Sequence, residues 1–257
     1  LNIGNMEIEG VETTGWWLNR VHKKTPTKFA VLGERSSGTN VTRYVVERAT
    51  GLQLTTELGW KHGFVRSVGV PNDTVVFVPC RDPYDWVRSM YHKPWHCRQT
   101  MLGLGFSEFI RAPWDTIIDK PIADFGLKRP RYVNVPLLAD RDPVTGQMFQ
   151  NILKMRAAKL RHLIGLGNDI CDLVLFRFEA FAARPNEFLN SVAQVFGVDV
   201  AQASWPTRQM GSMPIEERQQ RVSKISELDR EFILTQLDTE VERTLGYLEG
   251  ELDNGIS

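Results

Sequence analysis

Cysteine is scarce in this chain of 257 residues, and the three present, Cys80, Cys97 and Cys171, lie far apart without a C-x-x-C pair. That spacing indicates neither a disulfide framework nor a zinc ribbon, and it makes a reducing, cytoplasmic setting the default expectation. A surplus of one charge sign is also missing, because Lys plus Arg number 31 and Asp plus Glu number 31. Zero net charge gives no reason to expect nucleic acid as a partner, so any cationic site has to be local. No apolar run is long enough to span a bilayer, and residues 1–15 are polar and acidic, without the apolar core of a signal peptide. The expectation is a soluble chain with no stable membrane insertion; a trimmed membrane anchor stays compatible with a sequence whose first residue is Leu1.

What is present suits a sizeable core, since 42% of the residues are hydrophobic. Residues 1–27 read as an N-terminal arm. Its Trp16-Trp17 pair serves more simply as a buried anchor than as a substrate site, and residues 28–257 read as one domain. The apolar run Phe29-Ala30-Val31-Leu32 passes into Gly33-Glu34-Arg35-Ser36-Ser37-Gly38-Thr39-Asn40. Beyond it, Val41, Tyr44, Val45 and Arg48 fall on one face at helical spacing. A buried strand therefore meets a helix through a Gly- and Ser-rich turn. The first N–H groups of a helix lack internal partners and carry partial positive charge, which suits a phosphate. Gly33 and Gly38 let the backbone approach an anion, Ser36, Ser37 and Thr39 add hydroxyls, and Arg35 adds a fixed charge. The two glycines have the spacing of the nucleotide-triphosphate loop G-x-x-x-x-G-K-[ST], but Thr39 stands where that motif requires Lys. The same turn also suits a plain strand-to-helix connection capped by Thr or Asn, so a second motif has to decide.

Downstream, residues 52–58 alternate like a strand, residues 59–64 form a loop, and residues 74–80 are a second buried strand ending in Arg81-Asp82-Pro83. Asp82 can cap and Pro83 can start a helix over residues 84–91. Residues 93–144 are rich in Pro, Gly and aromatics, among them Trp95, Phe106, Phe109, Trp114, Phe125 and Tyr132, and read as an acceptor-binding loop region. A helix follows over residues 147–164, with Arg156, Lys159 and Arg161 adding positive charge. Then come a third buried strand over 173–178, a helix over 185–196 stopped by Gly197, and a closing helix over 227–245 stopped by Gly246. Strands alternating with helices imply an α/β domain with a central parallel sheet flanked by helices.

The second motif is Arg81 with Ser89, an arginine at the end of a buried strand and a serine two turns into the next helix. Both belong to the carboxyl edge of the sheet, where open α/β sheets bind ligands. The chain here resembles the sulfotransferases that use 3′-phosphoadenosine-5′-phosphosulfate (PAPS). Ser37-Gly38-Thr39 is similar to their first loop, P-K-S-G-T-T. Arg81-Asp82-Pro83-Tyr84-Asp85-Trp86-Val87-Arg88-Ser89, with Tyr91-His92 after it, is similar to R-N-P-x-D-x-x-x-S. Leu175-Phe176-Arg177-Phe178-Glu179-Ala180-Phe181 before Arg184-Pro185, and Leu245-Gly246-Tyr247, resemble later stretches of that family in matching order.

The resemblance implies a P-loop-like sulfotransferase fold, PAPS as sulfuryl donor, 3′,5′-bisphosphoadenosine (PAP) as product and no metal. Carried over by position, Ser37, Gly38, Thr39 and Asn40 bind the 5′-phosphosulfate, Arg81 and Ser89 bind the 3′-phosphate, and Phe178 contacts the adenine. Ser36 aligns with the family's loop lysine, whose charge is assigned to Arg35. Lys61-His62 occupies the place of a K-x-H shortened by one residue, which makes His62 the general base and Lys61 its electrostatic partner. Arg218 and Arg221 lie where relatives fold a basic loop over the 3′-phosphate, although surface charge also accounts for them. A zinc site at His92, His96 and Cys97 is disfavoured because Pro94 breaks the helix that would align them. Asp140-Arg141-Asp142 fits a loop better than an acid/base pair. The acceptor is a hydroxyl of a small molecule or carbohydrate. A P-loop small-molecule kinase and a catalytically inactive nucleotide-binding module are the alternatives.

Overall fold

The computed structural model describes residues 8, 10–67, 69–119, 130–167, 171–208, 210, 213 and 218–248. Five strands form one sheet: β1 (Trp16–Asn19), β2 (Lys28–Val31), β3 (Gln53–Leu54), β4 (Thr74–Cys80) and β5 (Asp172–Arg177), in the order β1-β5-β4-β2-β3. β3, β2, β4 and β5 run parallel, with Val31 opposite Phe77 and Phe77 opposite Val174. β1 is antiparallel to β5, pairing Trp16 with Phe176 and Asn19 with Leu173. The sheet is thus mixed rather than wholly parallel, and the arm supplies its edge. Asp172, fully buried, holds the arm in place by accepting from the backbone N–H groups of Val21 and His22 at 2.8 and 2.9 Å.

The described helices are α1 (Val11–Thr14), α2 (Thr39–Ala49), α3 (Pro83–His92), α4 (Phe106–Arg111), α5 (Ile152–Gly165), α6 (Phe178–Ala183), α7 (Pro185–Phe196), α8 (Glu227–Gln236) and α9 (Thr239–Thr244). Alternation along the central strands decides which side each helix covers. Phe29, Val31, Val75, Phe77, Val174 and Phe176 face α2 and α7, meeting Val45, Val46, Phe188, Val192 and Phe196. Ala30, Leu32, Val76, Val78, Leu173 and Leu175 face Leu160, Leu163 and Ile164 of α5 with Val241 of α9. Each fully buried Val, Leu or Phe contributes about 1.5–3 kcal/mol, so the two covered faces fix the parallel core firmly. A third cluster, built on Trp86, Met90, Phe109, Trp114 and Ile152, lies between α3, α4, α5 and α8.

Several boundaries differ from expectation for local reasons. Only Gln53–Leu54 of residues 52–58 joins the sheet. α2 ends at an extended Thr50, so Gly51 is not its stop. α5 begins at Ile152 because the Asn151 side chain caps the N–H groups of Leu153 and Lys154. The closing helix is two helices, since Leu237 leaves the helical path and Asp238 caps α9 through Val241 N–H. Asp82 caps α3 through Asp85 N–H at 2.9 Å, with Pro83 at its first position. The described parts of residues 93–144 are not a plain loop: α4 and short 3₁₀ turns at Gln99–Met101 and Leu138–Asp140 lie within them, and Phe109 and Trp114 are core residues. Phe125 lies outside the described residues.

Candidate functional site

β2 ends at Val31, and the chain turns through residues 32–38 before α2 begins. Two left-handed residues shape the turn: Ser36 at φ 63° and Gly38 at φ 96°. Gly38 cannot cap α2 with a side chain, so no side-chain hydrogen bond closes the helix start and its first-turn donors suit an anion. The ring of Phe178, the first residue of α6, packs directly on Gly38; a Cβ there would fall 2.2 Å from the ring. The loop is also stitched to residues 61–62. Gly33 N–H donates to the Lys61 carbonyl at 2.9 Å, and the Gly33 carbonyl accepts from His62 Nδ1 at 2.7 Å. A carbonyl can only accept, so Nδ1 carries the proton and Nε2 keeps the lone pair of the neutral ring.

On the other side of the loop, Arg81 Nη1 donates to the Ser36 carbonyl at 3.2 Å, which joins the two motifs physically. Lys61 Nζ donates to Asn40 Oδ1 at the start of α2. A cavity of about 1050 Å³ opens over this junction, lined by Ser36, Gly38, Thr39, Asn40, Lys61, His62, Arg81, Ser89 and Phe178. Residues that the sequence places in separate motifs therefore share one wall. Ligand pockets measure roughly 300–1,000 Å³, so this space is at the upper end of what such sites use. A side cavity of about 280 Å³ is lined by Arg81, Ser89, Lys93 and Arg221.

Three expectations need correction. Arg35 lines the cavity, but its guanidinium is turned into the interior: Nη1 is 2.7 Å from Asp140 Oδ2, and the group lies over the rings of Trp60 and Trp114. With 2% exposure it cannot serve as the loop's mobile cation. Ser37 is buried and spends its hydroxyl proton on the Glu34 carbonyl at 2.8 Å, outside the cavity lining. Arg218 donates to the Met213 carbonyl at 2.8 Å, while Arg221 reaches the side cavity. His92 and His96 turn to different acceptors, the Gln219 carbonyl and Asp119. Among the described residues no group of three or more His, Cys, Asp or Glu is placed to hold a metal, and no helix is long and apolar enough to cross a membrane.

Beneath the cavity lies a buried ion network that motif reading missed. Arg156 grips Glu242 with two bonds of 2.6 and 2.8 Å and reaches Glu34 at 3.3 Å. Lys159 pairs with Asp140, the same carboxylate that holds Arg35. Burial raises the Asp140 pKa, but Arg35 and Lys159 outweigh it and hold the carboxyl below the usual range. Burial pushes Glu34 up to about 7 and Lys159 down to about 8. Burial, followed by the charge of Lys61, drives the His62 imidazole well below its ordinary value. The lone signal in the sequence was a helix whose buried face carries charges, at Arg156 and Lys159. Trp60, Trp95 and Trp205 also line the cavity, and Trp205 packs on Phe181 with ring centroids 5.2 Å apart.

Compared with protein-family models, curated proteins and solved structures, the chain matches none.

Proposed function

We propose that this protein is a PAPS-dependent sulfotransferase acting on a hydroxyl acceptor. One observation carries the reading: Ser36 and residues 38–40 of the turn, the Arg81/Ser89 pair and Lys61-His62 converge on one cavity of about 1050 Å³. The donor-side residues fit a bisphosphorylated nucleotide by their chemistry. Gly38, Thr39 and Asn40 at the uncapped start of α2 offer backbone donors to a 5′-phosphate, while Arg81 and Ser89 offer a charge and a hydroxyl to a second phosphate. Phe178 supplies an aromatic wall beside Gly38 for the base.

In the transfer, the acceptor oxygen forms a bond to sulfur as the bond from sulfur to the 5′-phosphate oxygen breaks, releasing PAP. The acceptor proton passes to His62 Nε2, the nitrogen left basic by the Nδ1–Gly33 hydrogen bond. Lys61, beside Asn40, takes the electrostatic role first given to Arg35, since its ammonium lies at the helix start where the leaving phosphate gains charge. The test is a titration with PAP and ADP, with and without magnesium, followed by transfer of labelled sulfuryl groups to a panel of hydroxyl compounds. Preference for PAP without magnesium and measurable transfer support the proposal. Magnesium-dependent preference for ATP would replace it with the kinase reading, and tight PAP binding without turnover on any acceptor would leave a nucleotide-binding module.

A further inference from the structure

α5 carries two cations that ordinary packing would keep out of the interior. Arg156 and Lys159 are three residues apart, hence neighbours on one helical face, with 0% and 2% exposure. A buried charge is costly unless it is paired, and both are paired: Arg156 with Glu242 and Glu34, Lys159 with Asp140. Each also makes a bond that pairing does not require. Arg156 Nη2 donates to the main-chain carbonyl of Arg81 at 2.9 Å, and Lys159 Nζ donates to the main-chain carbonyl of His62. The residues that carry these two carbonyls, Arg81 and His62, both line the cavity.

We infer that Arg156 and Lys159 are positioning residues, which from one rigid helix fix the backbone of Arg81 on the donor side and of His62 on the acceptor side. The separation between bound nucleotide and base is then set by a single turn of α5. This rests on the function proposed above. The charged groups near His62 are Lys61 in its own loop, Arg35 from the donor turn and Lys159 from α5, with Asp140 paired to the last two. Removing Lys159 deletes one positive neighbour and leaves Asp140 paired to Arg35.

The test uses the full chain. Lys159→Met is expected to move the His62 imidazole pKa upward in an NMR titration. It is also expected to lower kcat roughly ten- to a hundred-fold, the scale of a misplaced catalytic group, with PAP affinity kept. Arg156→Lys keeps the charge but loses the planar fork, and is expected to weaken PAP binding about tenfold while ADP binding changes little. Should Lys159→Met fail to fold, Lys159→Gln retains a donor without the charge and must still raise the His62 pKa. Folded variants with a lower melting temperature alone, and with the His62 titration, kcat and PAP preference of the parent, overturn the inference. A parent protein that binds no PAP sinks the proposed function instead, whereas in a parent that binds PAP and turns over, a folded Lys159→Met with the kcat of the parent sinks the positioning role.

Discussion

His62 combines a fixed tautomer with a depressed basicity, and both have measurable consequences. Its Nδ1–H is committed to Gly33, so the ring offers Nε2, and burial keeps it neutral well into acid. The acid limb of the rate profile is therefore expected below the ordinary imidazole value of about 6.5, followed as kcat/KM against pH. His62→Ala is expected to cut turnover roughly a hundred- to ten-thousand-fold with PAP affinity retained. Unchanged turnover would exclude the assignment. Glu34 provides a stability prediction of opposite sign. Its folded pKa of about 7 exceeds its reference of 4.5, so the stability it contributes is complete below the reference and fades as pH rises to the folded value. His62 acts the other way, costing stability as pH falls below its unfolded value. Glu34→Gln removes the first effect alone. Urea unfolding across this range is expected to show a variant that gains on the parent as the solution becomes more alkaline, with a slope approaching ~1.4 kcal/mol for each tenfold fall in proton concentration. Parallel curves would mean that Glu34 is not titrating there.

The donor turn acts as an element because its shape depends on one missing side chain. Gly38 sits at φ 96°, and the Phe178 ring fills the place of its absent Cβ. Gly38→Ala therefore meets left-handed strain of about 1–2 kcal/mol as well as overlap with the ring, and should lose donor binding while the sheet persists. Pairing it with Phe178→Ala relieves the overlap but not the strain. The double variant is thus expected to be more stable than the sum of the two single changes, measured by a denaturation cycle. Additive losses would show that ring and turn are independent. The contact also marks what could be read from sequence. The apolar runs 29–32, 74–80 and 173–178 announce buried strands, which form at Lys28–Val31, Thr74–Cys80 and Asp172–Arg177 with Phe178 opening α6 instead, and Pro83, Pro185 and Gly197 punctuate the helices as local chemistry requires. The strand at Trp16–Asn19 was illegible, because an edge strand is specified by its neighbour β5 rather than by its own pattern. Arg35 was misread for a similar reason: an arginine in a phosphate-type turn looks like a ligand, and only tertiary contact with Asp140, 105 positions away, turns it inward. Motif order put the turn, Lys61-His62 and Arg81 in sequence, but the bonds of Arg81 to Ser36 and of His62 to Gly33 are tertiary contacts, and the network at Glu34, Arg156 and Glu242 left no motif to find.

For the molecule as a whole, zero net charge supplies no net long-range attraction for an anion, so the proposed donor recognition falls to the cations gathered at the cavity. Arg81 and Ser89 line both the main cavity and its side chamber, where Lys93 and Arg221 add positive charge. Arg218 and Arg221 stand close enough to Lys93 that, after burial, their charges lower its pKa, a mutual repulsion that an anion bound beside them would relieve. A ligand with phosphates at both ends is consequently expected to stabilise the fold more than one with phosphates at a single end. Binding that is restricted to the folded state adds about 2.7 kcal/mol when the ligand stands at a hundred times its Kd. Thermal unfolding at equal concentrations of PAP and ADP should therefore show a larger rise in Tm with PAP. Arg81→Ala is expected to collapse that difference toward the ADP value if, as proposed, the charge it removes serves the second phosphate. Added salt should narrow the gap in the parent, because partly exposed charges are screened over about 10 Å at 0.1 M. If ADP and PAP raise Tm equally, or if Arg81→Ala leaves the difference intact, the pairing of Arg81 and Ser89 with a second phosphate is wrong, even though the turn at Gly38 could still hold the first.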